Sequence, residues 1–159
     1  FVNFNLNADV PSYVDLKYIL NQSTAGKKAQ NFLKNKLEQG LKKLSEQEKN
    51  ILKEEKQIIE QKKLIKPDEY KNKVDALRTK VLNLQKERDK LLKSVSEQRL
   101  VARNELLKNL NPIISEYMQE KKIRMVVDKK SILLADQNLD ITKQIIELLN
   151  KKLKSIKLN

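Results

Sequence analysis

The apolar positions of this chain change period several times along its length. Residues 13–20, Tyr-Val-Asp-Leu-Lys-Tyr-Ile-Leu, set Val14, Leu16 and Tyr18 against Tyr13, Asp15 and Lys17. That alternation predicts a half-buried strand entered after Pro11. Asn21-Gln22-Ser23-Thr24 then offers capping side chains, so a helix is expected to begin at Ser23 or Thr24 and to run without proline to about Ile65. Forty residues of helix span about 60 Å, far more than a small domain needs. Within it Leu37, Leu44, Ile51, Ile58 and Ile65 recur every seven residues, but the places three and four further on hold Gly40/Leu41, Gln47/Glu48, Glu54/Glu55 and Gln61/Lys62. The seam is therefore narrow for a coiled coil.

Lys66-Pro67-Asp68-Glu69 predicts a reversal and a fresh helix start, with proline early and acids in the first turn. The second helix carries Tyr70, Val74, Leu77, Val81, Leu84, Leu91 and Val95 at alternating three and four spacing, interrupted at Arg88. After Gln98 the pattern reads Leu100, Arg103, Leu107, Leu110, Ile114 and Tyr117, a phase change expected to alter the winding. Pro112 is expected to bend the helix. The slip near Gln98 to Leu100, Asn111-Pro112 and the Lys66-Pro67 tip are the candidate hinges.

Met125-Val126-Val127-Asp128 and Ile132-Leu133-Leu134-Ala135 are short apolar runs that predict a strand hairpin. Asp140 is expected to cap a last helix that buries Ile141, Ile145, Leu148, Leu149 and Ile156. The expected fold is mostly α with a small β-body, in the order β-α-α-β-β-α. Residues 23–122 form a helical-hairpin arm projecting into solvent, and 9–22 with 123–159 form the body. Three short strands and one helix leave apolar surface uncovered, so oligomerisation is expected, with Val14, Leu16, Val126, Val127, Ile132 and Leu134 as its candidate side chains. Residues 1–8 are read as the end of a cleaved secretory signal or as a disordered arm.

Composition narrows the chemistry. The chain has 159 residues with no His, Cys or Trp, which removes the commonest general base, the soft metal ligands and the thiol nucleophile together. No enzyme, cofactor or metal is expected. Asp15 and Asp128, in or at the ends of strands, can be imagined as paired carboxylates for acid/base work, but strand-end solvation or ion pairing accounts for both more simply. Lys and Arg number 34 against 21 acidic residues, for a net charge of +13. Between Ser23 and Lys122 stand 25 basic and 15 acidic residues, so most of the excess lies on the arm. A cationic arm attracts acidic partners by long-range steering that weakens in salt. Leu41, Leu52, Ile59 and Leu92, beside the main seams, are candidate contacts to such a partner, facing the arm interior; plain hairpin packing is their other reading.

Several strings, in this order around a long charged hairpin, resemble the Skp (OmpH-like) family of periplasmic chaperones. They are Tyr13-Val14-Asp15-Leu16 leading to Leu20-Asn21, Ala25-Gly26-Lys27-Lys28-Ala29-Gln30, Asn111-Pro112-Ile113-Ile114, Met125-Val126-Val127-Asp128, and Leu139-Asp140-Ile141-Thr142 with Leu149-Asn150. The resemblance implies a homotrimer with a β-body and three arms that enclose unfolded outer-membrane β-barrel proteins in the periplasm, without ATP or catalytic residues. The lipopolysaccharide-binding cluster reported for the family has no matching basic motif in this sequence. Contact with anionic lipid or lipopolysaccharide therefore enters without assigned residues.

Three other classes compete. A coiled-coil scaffold fits the hairpin alone. Nucleic-acid binding fits the charge, but only residues 78, 88, 99, 103 and 124 are Arg, the tyrosines are dispersed and acids interrupt the basic runs. A prefoldin-like subunit would place its strands between the long helices, whereas these flank the hairpin.

Overall fold

The computed structural model describes residues 10–159, and the reading of residues 1–8 lies outside them. The elements are β1 (Ser12–Val14), α1 (Leu16–Gln22), α2 (Thr24–Gln61), α3 (Pro67–Lys121), β2 (Val126–Asp128) and α4 (Thr142–Lys152). Two single-turn 3-10 segments, Lys129–Ser131 and Gln137–Leu139, link β2 to α4. The chain forms two compact units: residues up to Asn31 with Arg99–Asn159, and Phe32–Gln98.

In the first unit, Val14, Ile19, Ala25, Leu106, Leu110, Ile113, Ile141, Ile145 and Leu149 make the buried core. β1 pairs in parallel with β2, matching Ser12 to Val126, Tyr13 to Val127 and Val14 to Asp128. On its other side the Tyr13 carbonyl accepts from the Ile141 amide at 3.0 Å. β1 is thus paired along both edges, and its three residues are all buried.

The strand expected over 13–20 stops at Val14. Asp15 ends it because its carboxylate accepts from the Tyr18 amide at 2.8 Å, capping α1 and turning Leu16, Ile19 and Leu20 onto one helical face. Ser23 then caps α2 by accepting from the Gly26 amide at 3.2 Å, while Asn150 Oδ1 accepts from the Thr24 amide at 2.7 Å. A side chain from α4 therefore satisfies a second orphan donor at the start of α2.

The expected hairpin of Met125–Asp128 with Ile132–Ala135 does not form. β2 pairs with β1 instead, and Asp128 caps the following 3-10 turn through the Lys130 amide at 3.4 Å. Ile132–Ala135 is irregular, with Leu133 and Leu134 almost fully exposed. Asp140 accepts from the Thr142 amide at 2.9 Å, so its carboxylate serves the start of α4 with Ile141 standing between as the formal cap residue.

α3 continues unbroken through Pro112. Leu100 is 57% exposed, whereas Ala102, Leu106, Leu110 and Ile113 are buried. The expected phase change at Leu100 is therefore replaced by a seam that passes through Ala102. The helix ends with the Ile123 amide donating to the Met118 carbonyl and the Lys122 amide to Gln119, with Lys122 left-handed at φ 56. This is a Schellman ending built on lysine in place of the usual glycine.

Candidate functional site

The second unit, Phe32–Gln98, is the helical hairpin, and its inner face is set by a continuous heptad series. Along α2, Leu33, Leu37, Gly40, Leu44, Gln47, Ile51, Glu54, Ile58 and Gln61 turn away from solvent at alternating four and three spacing. The apolar half of that series is the seam read from the sequence. The polar half is the finding, because each of its members meets α3 in a particular way.

Gly40 makes room for Leu91: a β-carbon there would come within 2.5 Å of Leu91 Cδ2. Glu54 accepts from Lys80 Nζ, whose distances to the two carboxylate oxygens are 2.6 and 2.8 Å. Gln61 Oε1 accepts from Lys73 Nζ at 2.7 Å, and Arg88 lies 3.7 Å from Glu48. The interruption at Arg88 is thus one side of a cross-helix ion pair. Exposed pairs of this kind contribute roughly 0.2–1 kcal/mol, so they fix register more than they add stability.

Gln47 has a buried Oε1 without a protein partner. It lines an open groove of about 290 Å³ together with Ile51 and Leu84 of the seam and with Asn50, Glu54, Lys80, Asn83 and Glu87.

The four candidate contact residues stand outside the seam. Leu41 is 41% exposed, Leu52 51%, Ile59 59% and Leu92 48%, and Val81, expected in the seam, is 49% exposed. Around them Phe32–Gln98 holds 18 basic and 12 acidic residues.

The candidate oligomerisation residues divide. Val14 is 2% exposed and belongs to the core of its own chain. Leu16 is half-buried on α1, not on a strand, and Val126, Val127 and Ile132 are half-buried. Leu134 is freely exposed; with Leu133, Ile132, Tyr13, Tyr18 and Lys129 it lines an open cleft of about 590 Å³ in the first unit. Leu133 shares this exposure and was not singled out by the sequence, since a continuous apolar run does not say which members point outward.

Asp15 and Asp128 do structural work. Asp15 caps α1 and lies 3.9 Å from Lys129; Asp128 caps the 3-10 turn and lies 3.5 Å from Lys130. Among the described residues no three His, Cys, Asp or Glu side chains gather as a metal site would require, and no helix is long and apolar enough to cross a membrane.

Residues 12–149 match the family model described as Outer membrane protein (OmpH-like). A search of curated proteins found no match. Among solved structures, the fold resembles that of a proposed outer membrane chaperone (OmpH-like) from Caulobacter crescentus, with a TM-score of 0.86 and 21% identity. That alignment covers 94% of this chain and 90% of the other.

Proposed function

The chain belongs to the OmpH-like family, and on that footing we propose that it is an ATP-independent periplasmic holdase for unfolded outer-membrane β-barrel proteins. The observation that carries this reading is the exposed apolar set on a hairpin with 18 basic against 12 acidic residues. Exposed leucines offer weak, adaptable apolar contact, and the positive field gathers acidic chain without fixed geometry. Neither requires a deep pocket or a nucleotide. Holding is by shielding: a client segment against the hairpin is withheld from other client segments, so aggregation slows.

The working unit in this reading is a homotrimer. Support comes from the first unit, where among the described residues β2 pairs with β1 along one edge only and Leu133 and Leu134 stand exposed soon after it in sequence. Exposed apolar side chains next to a free strand edge are a liability in a single chain, and association of copies would cover both. Residues 9–22 and 123–159 remain the proposed body and 23–122 the proposed arm.

The test is aggregation suppression. A urea-unfolded outer-membrane β-barrel protein is diluted with and without the full chain, lacking ATP, across a salt series. Protection at a molar excess that declines as salt rises is expected; no protection would remove the holdase reading. A mobility assay with DNA at physiological salt checks the rival class, where no shift is expected.

A further inference from the structure

The match to the family model ends at Leu149, and residues 150–159 carry four lysines and no acidic side chain. No other part of the chain concentrates charge in this way: the excess on Phe32–Gln98 comes from 18 basic residues interleaved with 12 acidic ones.

This stretch is held against the first unit. α4 ends at Lys152, Leu153 is extended, and the Leu153 amide donates to the Leu149 carbonyl at 2.8 Å. Leu153 and Ile156 pack against the core, and Leu158 is half-buried. Lys151, Lys154 and Lys157 are exposed. The apolar side chains of this strap therefore serve the chain's own core, and what it offers to solvent is ammonium groups.

Ion pairing leaves most of those groups free. Lys152 is the exception, 2.7 Å from Glu116 of α3. Among the described residues Lys151, Lys154 and Lys157 have no acidic partner. The carboxylates in reach are few. Glu120, one turn past Glu116, is taken by Lys121 at 2.9 Å, and Glu147 stands one turn before Lys151. Through the hydrogen bond from the Thr24 amide to Asn150, the start of α2 also belongs here and adds Lys27 and Lys28, both exposed. Seven ammonium groups thus stand against three carboxylates.

We propose that this lysine strap is the surface by which the chain rests on an anionic phospholipid bilayer. The partner follows from the chemistry. A second copy of the chain brings the same positive charge and is repelled. Recognition of a carboxylate or phosphate in fixed geometry calls on the planar fork of arginine, and residues 150–159 have no arginine. An unfolded client presents apolar side chains as well as charge, and the strap's own apolar side chains face inward. A layer of anionic headgroups needs only hydrated point charges on a firm support, and each lysine close to it strengthens binding about fivefold. The contact does not depend on the holdase reading, whose exposed leucines belong to the other unit.

Co-sedimentation with vesicles tests the strap. The full chain is titrated with vesicles of phosphatidylglycerol and phosphatidylcholine in equal parts, and with phosphatidylcholine alone. Binding to the first at low salt and not to the second is expected. Lys151→Gln/Lys154→Gln/Lys157→Gln should weaken it at least tenfold. Lys49→Gln/Lys53→Gln/Lys56→Gln removes the same charge from exposed positions of the hairpin and should stay within about twofold of the unmodified chain. Both variants leave the Lys152–Glu116 pair in place, and an unchanged melting temperature checks their folding. Equal losses in the two variants would show that net charge alone is read and would overturn the proposal. So would equal binding to neutral vesicles, or tighter binding to free poly-glutamate than to the anionic vesicles, which assigns the strap to acidic polypeptide. Failure of the unmodified chain to suppress aggregation bears on the holdase reading and leaves this result standing.

Discussion

A β-carbon on Gly26 would overlap the carbonyl oxygen of Leu20. α1 and α2 meet at this point, the Ser23 cap lies beside it, and the obstacle is backbone, which cannot rotate aside. Alanine at 26 gains up to about 1 kcal/mol of helix propensity but must separate the two helices. Gly26→Ala is expected to destabilise the protein by about 2–3 kcal/mol, the upper range of overpacking, read as a lowered urea midpoint. Gly40→Ala is the control: its β-carbon meets only the Leu91 side chain, so stability should change by less than about 1 kcal/mol. Equal losses at the two sites would mean that the nature of the obstacle is irrelevant.

Lys122 closes α3 in a left-handed conformation that costs a residue bearing a β-carbon roughly 1 kcal/mol. Glycine adopts it freely. Lys122→Gly should therefore raise the melting temperature by about 2–4 °C, measured by calorimetry, with no change in helix content.

Asn150 provides the acceptor for the Thr24 amide across 126 residues of sequence. Removing it leaves a part-buried donor unsatisfied, so Asn150→Ala should cost about 1–2 kcal/mol. The expected local sign is faster hydrogen exchange at the first amides of α2, with exchange at the Phe32–Gln98 hairpin unchanged.

Gln47 holds a seam position with an unpartnered buried carbonyl. Gln47→Leu removes the orphan and supplies the side chain a heptad prefers, so the hairpin should gain about 1 kcal/mol and resist proteolysis longer. If holding depends on hairpin flexibility, the same variant should protect clients less well, which separates rigidity from surface chemistry.

The chain has no histidine, the side chain whose ordinary pKa lies between pH 5 and 8. Client protection is expected to vary less than about twofold between pH 6 and 8 at fixed salt. It should fall several-fold from 50 to 500 mM salt, because the attraction is carried by exposed lysines and arginines.

The helices and the reversal at Lys66-Pro67 were legible because seven-residue periodicity and proline placement are local properties. The end of β1 was not, since Asp15 fits an alternating strand pattern as readily as a helix cap; the choice depends on Leu16, Ile19 and Leu20 finding the core together. Ala102 carries little weight in a hydrophobic pattern because it is small, although it keeps the seam of α3 in phase. Ile132–Ala135 shows the opposite: a strongly apolar run implies burial, and in the single chain Leu133 and Leu134 are exposed. The leucines beside the seam could be named from sequence. The register across the hairpin could not, because Glu54–Lys80 and Gln61–Lys73 set it and neither pairing is local.

The stitching of the first unit also dictates an order of events during folding. The Asp15 amide donates to Thr142 across 127 residues, and β1 pairs with a strand that follows both long helices. Closing so long a loop is slow while the intervening chain is disordered, whereas the turn at Lys66-Pro67 lets α2 and α3 zip from neighbouring residues. The hairpin should therefore assemble first, and the core around Ile19 and Ile145 last. A chain caught midway would already carry the exposed leucines of its hairpin, and would lack the core that its two ends build.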